Sequence, residues 1–154
     1  MKHKLITLLG TIVILMSVNL NAQDKNFGLG VIFGEPTGFS GKYWLTDNNA
    51  LDFGFGYSFL GENSHLSLHG DYLYHMDGII QSQFRIPIYY GFGLRLRTAG
   101  DDDGSFGVRG VAGVAMFLNE LPVDVFFEIV PVFQLLPETG LKFDVAVGGR
   151  YYFK

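Results

Sequence analysis

The sequence predicts an all-β protein, an eight-stranded antiparallel up-and-down transmembrane β-barrel. The first observation is the stretch LKFDVAVGGRYYF, residues 141–153. It sets Leu141, Phe143, Val145, Val147, Gly149, Tyr151 and Phe153 on one face and Lys142, Asp144, Ala146, Gly148, Arg150 and Tyr152 on the other. Alternation at a period of two is the mark of a strand with one apolar side, and roughly 9–11 tilted residues cross a bilayer. The second is that the same alternation recurs in seven earlier segments, with no helical period after the N-terminal region. The third is composition: 17% charged, against about 25% in soluble domains, with 16% aromatic and 21 glycines.

Taken in order, residues 27–33 alternate Phe27, Leu29, Val31 and Phe33 with Gly28, Gly30 and Ile32, and Glu35-Pro36-Thr37-Gly38 supplies turn chemistry. Residues 39–45 set Phe39, Gly41, Tyr43 and Leu45 against Ser40, Lys42 and Trp44, ending in the turn 46–49. The third strand, 51–59, opposes Leu51, Phe53, Phe55, Tyr57 and Phe59 to Asp52, Gly54, Gly56 and Ser58. The fourth opposes Leu66, Leu68, Gly70, Tyr72 and Tyr74 to His65, Ser67, His69, Asp71 and His75, followed by a long irregular turn over 76–83. The fifth, 84–97, carries Phe84, Ile86, Ile88, Tyr90, Phe92, Leu94 and Leu96 opposite Arg85, Pro87, Tyr89, Gly91, Gly93, Arg95 and Arg97. After the polar loop 98–105, strand six (106–118) sets Val108, Ala112, Val114 and Met116 against Gly107, Arg109, Gly113 and Ala115. Strand seven (123–133) sets Val125, Phe127, Ile129 and Phe133 against Asp124, Glu128 and Val132, and 134–140 leads into the last strand.

Alternation alone does not say which face is inside; volume does. An eight-stranded barrel has room only for a filling of side chains, and the apolar face carries too many large residues to fit. The apolar face therefore points outward. The glycine-rich face points inward and brings Lys42, Asp52, Asp71, Arg95, Arg97, Arg109, Asp124, Glu128, Lys142, Asp144 and Arg150 into the lumen as an ion-pair network, with His69 among them. Basic residues turned to mid-bilayer lipid cost about 2–4 kcal/mol each. The network reads either as a narrow ion or water path or as a plug, and the need of buried charges for partners favours the plug.

Residues 1–22 read as a secretory signal peptide. Lys2, His3 and Lys4 are basic, 5–18 is apolar but short of a spanning helix, and Ala22 offers a cleavage point. Residues 23–154 are then the barrel domain. There is no cysteine, which excludes disulfides, thiol chemistry and a lipid-attachment cysteine. Loss of Lys2 and Lys4 with the leader would leave nine basic against 15 acidic residues, a net charge of −6 that argues against a nucleic-acid partner.

The eight alternating strands, the leader and the terminal Tyr151-Tyr152-Phe153 resemble the small bacterial outer-membrane barrels of the OmpA transmembrane-domain and OmpX type. Gly34-Glu35-Pro36-Thr37-Gly38, Gly41-Lys42-Tyr43-Trp44 and Tyr89-Tyr90-Gly91 are similar to segments of an uncharacterised family of such barrels. Gly148, Tyr151 and Phe153 match the terminal barrel-assembly signal, although Lys154 follows where the usual pattern ends on the aromatic. The resemblance implies an outer-membrane location, lipid and the barrel-assembly machinery as partners, and a periplasmic N-terminus. The cell-surface loops are then 35–38, 60–64, 98–105 and 134–140, presenting Glu35, Thr37, Glu62, Asn63, Asp101, Asp102, Asp103 and Glu138. With no further domain expected after Lys154, anchoring to peptidoglycan through such a domain is not expected.

The candidate chemistry is sparse. His65, Ser67, His69, Asp71 and His75 share a face, but side chains two apart on a strand are roughly 6–7 Å apart, too far for a nucleophile-to-base hydrogen bond. The aspartates 101–103 lack the ligand spacing of a calcium loop. No cofactor or metal is expected. The leading expectation is a non-enzymatic barrel with a structural, membrane-stabilising role. The alternative is a surface receptor for an extracellular (host) protein, and a lipid-modifying enzyme stands third.

Overall fold

The computed structural model describes residues 26–58, 65–98 and 104–153. The leader, Phe59, Glu62, Asn63, Asp101, Asp102, Asp103 and Lys154 lie outside the described residues. Eight strands follow one another: β1 (Phe27–Gly34), β2 (Thr37–Trp44), β3 (Asn49–Ser58), β4 (His65–Met76), β5 (Ile88–Thr98), β6 (Ser105–Phe117), β7 (Val123–Leu136) and β8 (Gly140–Phe153). Each pairs antiparallel with the next and β1 pairs with β8, closing the barrel and leaving no free edge. One end carries the start of β1, the end of β8 and the connections 45–48, 77–87 and 118–122; we call it the terminal end. The opposite end carries 35–36, 137–139, the end of β3, the start of β4, the end of β5 and the start of β6.

Local chemistry sets the boundaries. Gly34 ends β1 with φ 125°, a conformation side chains disfavour, and the Thr37 hydroxyl donates to the Gly34 carbonyl and accepts from its N–H. The fifth strand starts at Ile88, four residues later than the alternation of Phe84, Ile86 and Ile88 suggests. Pro87 has no N–H to donate, and only an isolated bridge from Arg85 to Phe117 precedes it. The seventh strand runs three residues further than expected, reducing the last connection to 137–139. Within it, the β6–β7 ladder skips Gly110 and Val111, across from Pro131, where a donor is missing.

The burial pattern is inverted relative to a water-soluble domain. Phe39, Phe92 and Phe143 are 68%, 67% and 63% exposed, whereas Arg95, Arg150 and Lys42 are 1%, 2% and 0% exposed. The interior is not purely ionic, however. Ile32, Leu73, Tyr89, Val111, Phe126, Val130 and Val132 form an apolar cluster between the charged groups. A second cluster of Trp44, Ala50 and Tyr152, with Phe117 against it, lies towards the terminal end.

Candidate functional site

Inward positions on every strand build the lumen, and glycines opposite them make room. The imidazole of His69 on β4 lies over Gly54 on β3, where any Cβ would collide with it. Around these close approaches the buried ionic groups among the described residues are five cations (Lys42, Arg95, Arg97, Arg109, Arg150) and six carboxylates (Glu35, Asp52, Asp71, Asp124, Glu128, Asp144).

Arg150, on β8, is the hub. Its Nε donates to Ser40 Oγ at 2.8 Å, its Nη2 to Asp52 Oδ2 at 2.7 Å and its Nη1 to Asp124 Oδ2 at 3.4 Å. Its guanidinium also lies 3.8 Å from the Phe126 ring centre. One side chain thus ties β8 to β2, β3 and β7. Tyr152 completes Asp124 with a hydroxyl donated at 2.7 Å. Asp52 and Asp71 stand directly opposite in the β3–β4 register, and each like charge is answered by its own arginine. Arg109 Nε lies 3.0 Å from Asp71 Oδ1 but off the hydrogen-bond line, so that attraction is ionic alone. Arg109 also reaches Glu128 at 3.6 Å, and Glu128 accepts from the Tyr89 hydroxyl at 3.0 Å.

Towards the far end, Arg95 and Arg97 both engage Asp144, and Arg97 Nη2 donates to Glu35 Oε1 at 2.7 Å. Two expectations are corrected here. Glu35 is not a surface-loop residue: it is 3% exposed and folds into the lumen mouth, where its ion partner is Arg97 from β5. Lys142 is not in the lumen. Its parity is right and its β7 partner Val132 is buried, but Lys142 itself is exposed, and no ion pair joins it among the described residues. Glu138 is exposed in the 137–139 connection.

At the terminal end, Lys42 Nζ lies 3.1 Å from His75 Nε2, 3.7 Å from Asp52 and 4.7 Å from the Tyr89 ring centre. His75 Nδ1 lies 3.1 Å from the Asn48 carbonyl. That carbonyl can only accept, so Nδ1 carries the proton and Nε2 accepts from the ammonium. Arg85, from the 77–87 connection, closes this end, its guanidinium 5.5 Å from the Trp44 ring centre and 5.0 Å from that of Phe117. It is held by Asp77 through two bonds of 2.8 Å. The Arg85 hydrogen bond holds the Asp77 carboxyl below its ordinary range. A lowered carboxyl contributes stability above its unfolded pKa of about 3.9, lost as pH falls through the folded value. Amide exchange across 77–87 is therefore expected to stay slow from neutral pH to about pH 4, once corrected for intrinsic rates, and to accelerate in stronger acid. Asp77→Asn is expected to abolish that step.

The β4 residues do not assemble a catalytic relay. Ser67 Oγ has no hydrogen-bond partner among the described residues, and His69 Nε2 stands 3.9 Å from Asp71 Oδ2. Nor do three or more His, Asp or Glu come together as a metal-binding group among the described residues. The apolar and aromatic lumen residues Trp44, Tyr89, Phe126 and Tyr152, absent from the expected network, prove to be its packing and hydrogen-bonding partners. Their alternation placed them on the inner face, which was the available signal.

No protein-family model matches the sequence, and no curated protein matches it. Among solved structures, the chain is similar to the crystal structure of the N-terminal beta-barrel domain of Pseudomonas aeruginosa OprF. The match has a TM-score of 0.61 at 16% identity and covers 85% of this chain and 100% of that one. Likeness at that identity concerns the fold, which is a closed eight-stranded antiparallel barrel.

Proposed function

We propose that this chain is an integral outer-membrane barrel of the OmpA-like and OmpX-like kind, with a non-enzymatic, structural role and a lumen plugged by its own ion pairs. Residues 1–22 act as the export leader in this reading. The observation that carries it is the inversion of burial. The largest fully buried side chains are Arg95, Arg109 and Arg150, while the outward face is a continuous surface of Phe, Leu, Val and Tyr. Apolar surface costs about 25 cal/mol per Å² in water, so such a belt is stable only against an apolar surrounding. Its partners are outer-membrane lipid and, during assembly, the barrel-assembly machinery. Glu35, turned inward and paired with Arg97, weakens the receptor reading by removing one of the expected surface-loop residues.

The test is reconstitution into lipid vesicles. The expected result is that the protein resists alkaline extraction and the vesicles hold a potassium gradient as tightly as protein-free ones. Extraction at alkaline pH would overturn the integral-membrane reading, and a leak from extraction-resistant vesicles would overturn the plug.

A further inference from the structure

The inference rests on the membrane-spanning reading and concerns the 77–87 connection, the longest between any two strands. It lies at the terminal end beside two shorter connections, 45–48 with Leu45, Asp47 and Asn48 and 118–122 with Asn119, Glu120 and Leu121, in which Leu45 and Leu121 are exposed as well. Its own two charges cancel in the Asp77–Arg85 pair, and its remaining polar residues, Gln81, Ser82 and Gln83, are uncharged. Gly78, at φ 80°, turns the chain just before Ile79 and Ile80, which are 55% and 40% exposed.

The connection is also anchored. The Phe117 N–H donates to the Arg85 carbonyl at 2.9 Å, and Asn119 Nδ2 donates to the Gln83 carbonyl at 2.8 Å. The isoleucines are therefore presented on a fixed support. The two strands that enter and leave the loop bring Tyr74 and Tyr90 together on the outer face at 5.7 Å, with Tyr72 and Phe92 at 6.1 Å one step further in. Exposed aromatic surface thus runs up β4 and β5 to the base of the loop. Tyrosine is a residue favoured at a membrane–water interface, and what continues past it here has no net charge and turns two isoleucines outward.

We propose that 77–87 is a membrane foot: Ile79 and Ile80 insert into the headgroup–acyl boundary of the phospholipid leaflet at the terminal end. A protein partner is the weaker occupant, because the loop carries no net charge and is continuous with surface that already meets lipid in this reading. The foot would add apolar contact on one side of the barrel only, fixing its tilt and depth.

The missing cysteines permit a direct test. Single cysteines are placed as Ile80→Cys, Ile79→Cys, Phe92→Cys and Glu120→Cys, and each protein is first shown to be folded by its mobility in unheated gels. Nitroxide labels are then read in phosphatidylethanolamine–phosphatidylglycerol vesicles for collision with oxygen, which concentrates in lipid, and with a nickel chelate, which stays in water. Positions 79 and 80 are expected to favour oxygen and to meet nickel severalfold less than position 120, approaching position 92. If 79 and 80 match 120 while 92 is in lipid, the foot is wrong and the spanning barrel stands. If 92 meets nickel as readily as 120, the barrel reading fails and takes the foot with it. If 79 and 80 meet nickel in vesicles but neither reagent in native outer membranes, a protein covers the loop and the lipid assignment is overturned.

Discussion

Arg150→Ala is expected to cost about 3–5 kcal/mol of barrel stability, the range for removing one partner of a buried ion pair. The loss has identifiable parts. Asp52 would keep only Lys42, 3.7 Å away, and Asp124 only the Tyr152 hydroxyl, while the Phe126 face would lose its cation. Strands β2, β3 and β7 would together lose their common tether to β8. Arg150→Lys keeps the charge but not the fork that addresses three partners at once, and should fall between the two. Adding Asp52→Asn to Arg150→Ala should recover part of the loss by neutralising the orphaned carboxylate, a coupling readable in a double-mutant cycle. Urea titration in lipid vesicles, followed by gel mobility, measures the parent, Arg150→Ala, Arg150→Lys, Asp52→Asn and the double variant. An Arg150→Ala barrel as stable as the parent would mean that the ion pairs are incidental to holding the lumen closed.

The second large effect lies on the outer face. Phe92→Arg, near the middle of β5, should cost about 2–4 kcal/mol if that surface meets the bilayer midplane. Leu45→Arg, at the terminal end, should cost about 0–1 kcal/mol because an arginine there reaches the interface. The same two changes on a water-facing surface would each stay within about 0.5 kcal/mol. A steep dependence on depth, measured by the same titration, therefore separates a lipid belt from a wet one.

Much of the fold was legible because strand periodicity is a local property. Every outward Phe, Leu and Tyr named from alternation in the described strands is on the outer face, and the volume argument chose the right side. What alternation does not encode is where a ladder begins or at what height a residue stands. Phe84 and Ile86 continue the pattern of β5 yet lie outside it, because Pro87 interrupts the pairing. Lys142 has inward parity but is exposed, and Glu35, in a sequence of turn residues, folds into the mouth instead of outward.

Ten of the eleven residues expected in the lumen are buried there, Lys142 is not, Glu35 joins them unexpected, and the pairing was not legible. Arg150 meets Ser40 and Asp52 across separations of 110 and 98 residues, and such contacts follow from barrel closure, which no local window contains. The apolar packing was missed for a related reason. Ile32, Phe126 and Val130 share the inward parity of the charged residues, but alternation does not say which inward residues pack against one another.

The claim beneath all of this is that the barrel spans the outer membrane with its termini inside the cell envelope. Its most direct test uses two single cysteines, Glu138→Cys in the exposed 137–139 connection and Asp47→Cys in the turn at the terminal end, in intact cells treated with a membrane-impermeant maleimide. The account predicts labelling at 138 in intact cells and at 47 only after lysis. Labelling at 47 alone would invert the orientation, and labelling at neither until the cells are lysed would contradict the membrane-spanning barrel.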